Sequence, residues 1–247
     1  MLQYIGHIWK GMIWVMDKKI LVIVPAYNEE ESIRNVIESI ENQEIKVDVV
    51  VINDGSKDRT YKEASKTDAY VIDLPFNLGI GGAMQTGYLY AFKNKYDIAI
   101  QIDADGQHNP EDIKNLIQPL LDEEADMVIG SRYLEKTQYK STLLRRLGMI
   151  YFTTVIKIFT GNRITDTTSG YRAVNRKVIK MFAREYPEDY PEVEVLVWLK
   201  KRRLKIKEIS VEMNERTTGK SSITPFKSLY YMIKVTLGII ISSIRKF

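Results

Sequence analysis

Two aspartates stand one residue apart at the end of an apolar run, Ile98-Ala99-Ile100-Gln101-Ile102-Asp103-Ala104-Asp105-Gly106-Gln107-His108. A block rich in branched apolar residues reads as a buried strand. Two carboxylates buried without partners would be costly, so Asp103 and Asp105 are expected at the strand's carboxyl end, facing a cation. Hard oxygen ligands of this kind suit Mg²⁺ or Mn²⁺ bridged to phosphates. An Asp-x-Asp triplet also recurs by chance, so the elements around it must carry the argument.

Those elements alternate. Residues 19–24 form an apolar strand closed by Pro25, and 47–52 a second that ends in Asn53-Asp54-Gly55-Ser56. Residues 69–72, 98–102 and 127–129 read as further strands. Helical spacing covers 29–42, a stretch from Asp58, 79–95 and 110–121, the last opened by Pro110, whose missing N–H does no harm there. Apolar strands alternating with helices predict an α/β fold whose mostly parallel central sheet is flanked by helices. Past Gly130 the rhythm changes to helices over 143–159, 175–183 and 193–201, then an alternating strand over 206–213. Without a repeat or low-complexity linker, one compact unit is expected, with a nucleotide-type half to about residue 130 and an acceptor-type half beyond it.

Open α/β sheets collect ligands outside the carboxyl ends of their strands. Three polar clusters fall at such ends: Pro25-Ala26-Tyr27-Asn28-Glu29, Asn53-Asp54-Gly55-Ser56 and Asp103-Ala104-Asp105. Tyr27 can stack on a base, Asp54 can accept from a base N–H or a ribose hydroxyl, and the aspartate pair can hold a metal against a diphosphate. Each also fits a local role, Asp54 closing a turn and Glu29 favouring a helix N-terminus. Their coincidence at three strand ends favours a ligand site. Other phosphate and metal motifs fail in detail. Gly79-Ile80-Gly81-Gly82 does not follow the first strand, Gly219-Lys220-Ser221 has Asn214 where a P-loop needs its first glycine, and an EF-hand starting at Asp103 would meet His108 in place of glycine and Lys114 in place of the final Glu.

Bulk properties set the bounds. The chain has 247 residues, 45% of them hydrophobic and 28% charged, enough for a substantial core. The absence of cysteine excludes disulfides and thiolate metal sites and suits a reducing cytoplasm. A net charge of +4 does not call for nucleic acid. Basic residues are densest in Lys200-Lys201-Arg202-Arg203-Leu204-Lys205-Ile206-Lys207, which reads as a solvated helix end, with an anionic ligand or membrane as the alternatives. No run reaches the roughly 18 apolar residues of a transmembrane helix. From 226 to 244 an apolar stripe runs through Phe226, Leu229, Tyr230, Ile233, Leu237, Ile240, Ile241 and Ile244, with Lys227, Lys234 and Arg245 on another face. The pattern fits a helix lying on anionic lipid and equally one packed on the domain. Ile5, Ile8, Trp9, Met12 and Ile13 repeat the theme in an N-terminal leader without a signal-peptide cleavage pattern; Met16 would make a natural start, so the first fifteen residues also read as an extension.

With these clusters in place, the chain resembles the family 2 glycosyltransferases. The likeness lies in Val24-Pro25-Ala26-Tyr27-Asn28-Glu29-Glu30, Asn53-Asp54-Gly55-Ser56-Lys57-Asp58, Asn77-Leu78-Gly79, Asp103-Ala104-Asp105-Gly106-Gln107-His108 and Gly130-Ser131-Arg132-Tyr133. It continues through Thr167-Thr168-Ser169-Gly170-Tyr171-Arg172 and Arg216-Thr217-Thr218-Gly219-Lys220-Ser221, covering about residues 19–222, and is greatest to the polyprenyl-phosphate branch, the dolichyl-phosphate mannose synthases and their bacterial relatives.

The resemblance implies a GT-A fold over 19–222; the apolar spacing adds a leader at 1–18 before it and an amphipathic, membrane-associating helix at 223–247 after it. The resemblance also implies inverting transfer of a hexose from a UDP- or GDP-linked sugar to a polyprenyl phosphate, in a peripheral enzyme on the cytoplasmic face of the cell membrane serving cell-envelope polysaccharide. By the same likeness Pro25, Tyr27, Glu29, Asp54 and Ala104 would bind the nucleotide-sugar. Asp103, Asp105 and Gln107 would hold Mg²⁺ or Mn²⁺, Arg132, Arg146 and Arg216 would contact phosphates, and Arg172 and Ser169 would meet the acceptor. If the acceptor is a hydroxyl, a general base is needed; Asp166 is the first candidate and Glu192 and Glu194 follow, while a capping role for Asp166 stays open. The chain lacks the paired C-terminal transmembrane helices of some relatives, which points to a separate small integral membrane partner. Two other readings stay open: a soluble or peripheral transferase extending a glycan on a hydroxyl acceptor, and a non-catalytic nucleotide-sugar-binding protein. No residue separates UDP from GDP; the bacterial likeness mildly favours UDP-glucose.

Overall fold

The structure is a computed structural model that describes residues 18–134, 143–161, 163–188, 191–214 and 225–244. Among these residues a seven-stranded sheet has the order β3-β2-β1-β4-β6-β5-β7. Its strands are β1 (Ile20–Ala26), β2 (Asp48–Asn53), β3 (Tyr70–Asp73), β4 (Ile98–Gln101), β5 (Met127–Ser131), β6 (Arg172–Asn175) and β7 (Ile206–Ser210). β6 runs antiparallel to both neighbours, and the remaining pairings are parallel. The mostly parallel sheet expected from the apolar runs is therefore present. The sequence reading missed β6, a four-residue strand bounded by Arg172 and Asn175 and lacking an apolar block.

Apolar residues line both faces of the sheet. Leu21 and Ile23 of β1 face one buried cluster, and Val22 and Val24 the other. Period-two alternation of an all-apolar strand fills both layers at once, which is what a sheet covered on two faces requires. Helix α1 (Ile33–Glu41) buries Ile33, Val36, Ile37 and Ile40 on the second face. Helices α2 (Thr60–Ala64), α3 (Gly79–Lys93) and α4 (Ile113–Leu121) follow β2, β3 and β4, with a 3₁₀ turn at Pro110–Asp112 before α4. Gly87 of α3 lies so close to Ile23 that a Cβ there would stand 2.4 Å from its Cγ2, so the helix seats directly on β1.

The remaining helices are α5 (Leu143–Thr160), α6 (Arg176–Arg184), α7 (Pro191–Lys201) and α8 (Pro225–Ile244). α7 is buried along Val193, Val195, Leu196, Val197 and Leu199, and both α5 and α8 pack on it. Val235 and Ile239 turn α8 inward, whereas Leu237 and Ile241 of the expected stripe are 54% and 64% exposed. The helix is apolar on more than one side, so the face that packs is not the one the spacing picked out. Among the described residues no helix is long and apolar enough to cross a membrane. Residues 1–17 of the 1–18 leader and Arg216 lie outside the described residues; Arg146 falls within α5, but its side chain lies outside those described.

Candidate active site

The cleft opens where two central strands part. β1 and β4 are paired from Ile20↔Ile98 to Ile23↔Gln101, and Ile102 donates once more to the Ile23 carbonyl at 3.1 Å. Beyond that point Pro25 has no N–H to give a ladder. A cleft of about 230 Å³ fills the gap, lined by Pro25, Glu29, Ile80, Gln101, Asp103, Ala104, Asp105 and Glu192. Five of the residues expected to bind the donor or metal thus share one space. Ile80 and Gln101 were not foreseen, and Glu192 had been only a secondary base candidate.

Side-chain to backbone bonds knit the strand-end loops together. Asn28 adopts a left-handed conformation (φ +56°), one that Asn tolerates better than most residues. Its amide donates to Ser56 Oγ at 3.0 Å, and its Oδ1 accepts from the Lys57 amide at 2.9 Å. The Glu29 amide donates to Thr60 Oγ1 at 2.8 Å, while the Glu29 carboxylate accepts from Ser32 Oγ at 2.9 Å. Asp54 is buried and accepts from the amides of Leu78 (2.7 Å) and Gly79 (2.9 Å), at the start of α3. The carboxylate therefore compensates the helix's free N–H groups and fixes the 76–79 loop at the cleft's edge. Tyr27, expected to stack on a base, is 45% exposed and is not among the residues lining the cleft.

Asp103 and Asp105 follow β4 directly, as their position after the apolar run required. Gln101 Nε2 donates to Asp103 Oδ1 at 3.1 Å, and the Gln107 amide donates to Asp105 Oδ1 at 3.1 Å, closing the turn. Asp103 keeps 39% of its side chain exposed. His108 is buried, accepts the Asp103 N–H at Nδ1 (3.1 Å), and stacks on Tyr171 with ring centroids 4.8 Å apart and planes 13° from parallel. Loss of hydration holds the His108 pKa below its ordinary value, against the pull of Asp103 and Asp105. Behind Asp103 the chain comes close at Gly170, where a Cβ would stand 2.8 and 3.0 Å from the carboxylate oxygens.

No group of three or more His, Cys, Asp or Glu capable of holding a metal occurs among the described residues. Asp103 and Asp105 both line the cleft and offer hard carboxylate oxygens, with room for a ligand to supply the rest, whereas Gln107 is not among the lining residues. That composition fits Mg²⁺ or Mn²⁺, which keep several positions for water and phosphate. The cradle around Asp103, which any side chain at Gly170 would fill, fits the same use.

Residues 130–132 and 165–172 form the wall behind the aspartates. Asp166 is fully buried, and Arg132 grips it through Nε (2.7 Å), Nη2 (2.9 Å) and its own amide (3.2 Å). Glu208 of β7 accepts from the amides of Thr165 and Asp166, both at 2.9 Å. Ser169 Oγ donates to the Gly130 carbonyl at 2.7 Å. Arg172, 2% exposed, donates to the carbonyls of Ser169 (2.7 Å) and Thr167 (3.1 Å), and its Nη1 has no hydrogen-bond partner. Ser169 and Arg172, expected at the acceptor, thus stand inside the wall and brace it. As arranged, Asp166 orients Arg132; taking a proton would require that grip to open. Glu192, at the start of α7, faces the cleft, and loss of hydration pushes its carboxyl above the usual range while Arg172 opposes the shift. The sequence offered no signal for Glu208, whose partners lie more than forty residues away.

The chain matches the Glycosyl transferase family 2 domain over residues 21–182 and belongs to that family. It is 35% identical to an uncharacterised protein of Methanocaldococcus jannaschii, MJ1222, over 87% of this chain and 91% of that one. It is 31% identical, over 90% of this chain and 98% of the other, to the UDP-N-acetylglucosamine–dolichyl-phosphate N-acetylglucosaminyltransferase of Methanococcus voltae. Among solved structures, glucosyl-3-phosphoglycerate synthase from Mycobacterium tuberculosis in complex with Mg²⁺ and UDP superposes with a TM-score of 0.72 at 22% identity, over 96% of this chain and 83% of that one. The architecture is the GT-A arrangement expected from the motifs.

Proposed function

We propose that the protein transfers a sugar, with inversion at its anomeric carbon, from a nucleoside diphosphate to a polyprenyl phosphate at the cytoplasmic membrane face. The observation that carries this reading is the shared cleft, which sets Pro25 and Glu29 beside Asp103, Ala104 and Asp105 at the parting of β1 and β4. Relatives support it by name: besides the M. voltae enzyme, a polyprenol monophosphomannose synthase of Mycolicibacterium smegmatis is 31% identical over 66% of this chain.

In this reading Tyr27, Pro25, Glu29 and Asp54 form the nucleoside end, with Ala104 beside the aspartates. Asp103, Asp105 and Gln107 would hold Mg²⁺ or Mn²⁺, whose charge would stabilise the departing diphosphate as a Lewis acid does. Arg132, aimed by Asp166, would add positive charge toward the diphosphate, and Arg146 and Arg216 are assigned to phosphates by the family likeness. A phosphate acceptor is already anionic near neutral pH, so no side chain need remove a proton. Arg172 and Ser169 serve the acceptor by holding the 166–171 wall.

The membrane is met through two helices. Leu237, Ile240 and Ile241 of α8 and Ile150, Ile158 and Phe159 of α5 are exposed, and Tyr151 and Thr236 share a 2.9 Å hydrogen bond between the helices. Apolar surface of that extent suits the interfacial zone of a bilayer, with a small integral membrane protein as a further anchor. The test is an assay of UDP- and GDP-sugars with undecaprenyl phosphate and Mn²⁺, reading released nucleotide and lipid-linked sugar. Release of nucleotide that never depends on the lipid phosphate would overturn the proposal.

A further inference from the structure

Beside Asp103 an imidazole is built into the turn. His108 is 5% exposed, its Nδ1 accepts the Asp103 N–H at 3.1 Å, and its Nε2 lies 3.7 Å from Asp103 Oδ2. Since Nδ1 is an acceptor, the ring carries its proton on Nε2, the side turned to the carboxylate. The ring is clamped in turn. Tyr171 stacks on it, and the Tyr171 hydroxyl donates to the carbonyl of Asn109 at 2.9 Å, one residue beyond the histidine. On its backbone side His108 bridges to Met213, and the Asn214 amide donates to the Gln107 carbonyl at 2.9 Å. The turn that presents both aspartates is thus closed across its base by a side chain five residues on, where a backbone partner would be usual.

We propose that His108 is a positioning residue for the metal-binding turn: by accepting the Asp103 N–H it closes the 103–108 loop and holds the Asp103 and Asp105 carboxylates at the separation a divalent cation needs. This rests on the reading of Asp103 and Asp105 as ligands. The feature that matters is the acceptor at Nδ1, not the volume of the ring. A buried N–H left without a partner would recover one by twisting the turn, and the twist moves both carboxylates at once. Losing an outer group that orients a ligand typically costs about 10- to 100-fold in metal affinity.

Two substitutions separate the acceptor from the ring. H108F keeps a flat ring against Tyr171 and removes the acceptor; H108N loses the ring but sets Oδ1 close to where Nδ1 stood. Mn²⁺ binding to the full-length protein is followed by the EPR signal of free Mn²⁺ at saturating UDP, with D105A as the reference for a lost site. The expected result is Mn²⁺ affinity at least about tenfold weaker in H108F and largely restored in H108N. The reverse order, H108F like the wild type and H108N impaired, would show a packing role and overturn the inference. Should H108F fail to fold, as judged by circular dichroism, H108N against H108A decides: equal affinities overturn it, and tighter binding by H108N supports it. A wild-type protein whose Mn²⁺ binding is no tighter than that of D105A removes the metal reading itself, a failure distinct from a wild-type site indifferent to residue 108.

Discussion

Arg132 and Asp166 meet fork to carboxylate, Nε to Oδ2 at 2.7 Å and Nη2 to Oδ1 at 2.9 Å, with Asp166 wholly out of solvent. Removing one member of a buried pair strands the other, which costs roughly 3–5 kcal/mol, and the lower end applies here because Arg132 retains some exposure. D166A should therefore lower unfolding free energy by about 3 kcal/mol in urea titrations. If the two residues act as one unit, turnover falls by similar factors in R132A and D166A and no further in the double variant. Multiplying losses would instead reveal a separate chemical role for Asp166, as a base would have.

The aspartate pair predicts metal dependence that can be removed at one residue. D105A should lose Mn²⁺ binding and at least about a hundredfold in sugar transfer, since deleting a ligand costs no less than deleting its outer support. Chelation of the wild-type protein with EDTA should give the same loss, reversed by Mn²⁺. Unchanged turnover in D105A would sink the metal-dependent mechanism.

Gly170 offers a test of how closely the wall is fitted to Asp103. A methyl group at 170 would stand 2.8 Å from Oδ2 of Asp103 and 3.1 Å from Gln101 Nε2. Overpacking of this kind costs typically about 1–3 kcal/mol where neighbours cannot move. The Asp103 carboxylate is part-exposed and can turn aside, so G170A should weaken Mn²⁺ binding more than it lowers thermal stability. Full Mn²⁺ affinity accompanied by a large loss of stability would mean that the wall yields instead of the ligand.

The sequence made the position of the aspartates legible for a physical reason: a largely apolar buried strand cannot continue through two carboxylates, so it ends just before them. Asp54, just past the end of β2, was legible on the same ground; Pro25, expected to close the first strand, lies instead within β1, paired with Ile52, and the strand runs on to Ala26. What stayed hidden depends on distant partners. Asp54 finds the amides of Leu78 and Gly79 across 24 and 25 residues, and nothing local distinguishes a capping carboxylate from a base-binding one. Arg172 resembles a surface cation because arginine seldom lies fully buried, yet β6 places it between β4 and β5. β6 itself owes its existence to those neighbours rather than to its four residues.

The two-helix apolar surface makes the last prediction. Ile241 is 64% exposed and Leu237 54%, one turn apart on α8, and Ile158 on α5 is 74% exposed. Inserting a leucine or isoleucine side chain fully into an apolar phase is worth about 1.5–3 kcal/mol, so reversing one of them to glutamate should weaken membrane partitioning at least roughly tenfold. I241E and I158E should each deplete the top fraction in flotation with anionic liposomes, and the pair together should abolish it. None of these side chains contributes to either buried core cluster, so the folded domain should survive, with Mn²⁺ binding intact. Transfer to a long-chain polyprenyl phosphate in vesicles should drop with partitioning, while transfer to a short, water-soluble analogue should not. Equal loss on both acceptors would place the helices in the catalytic architecture instead of at the lipid.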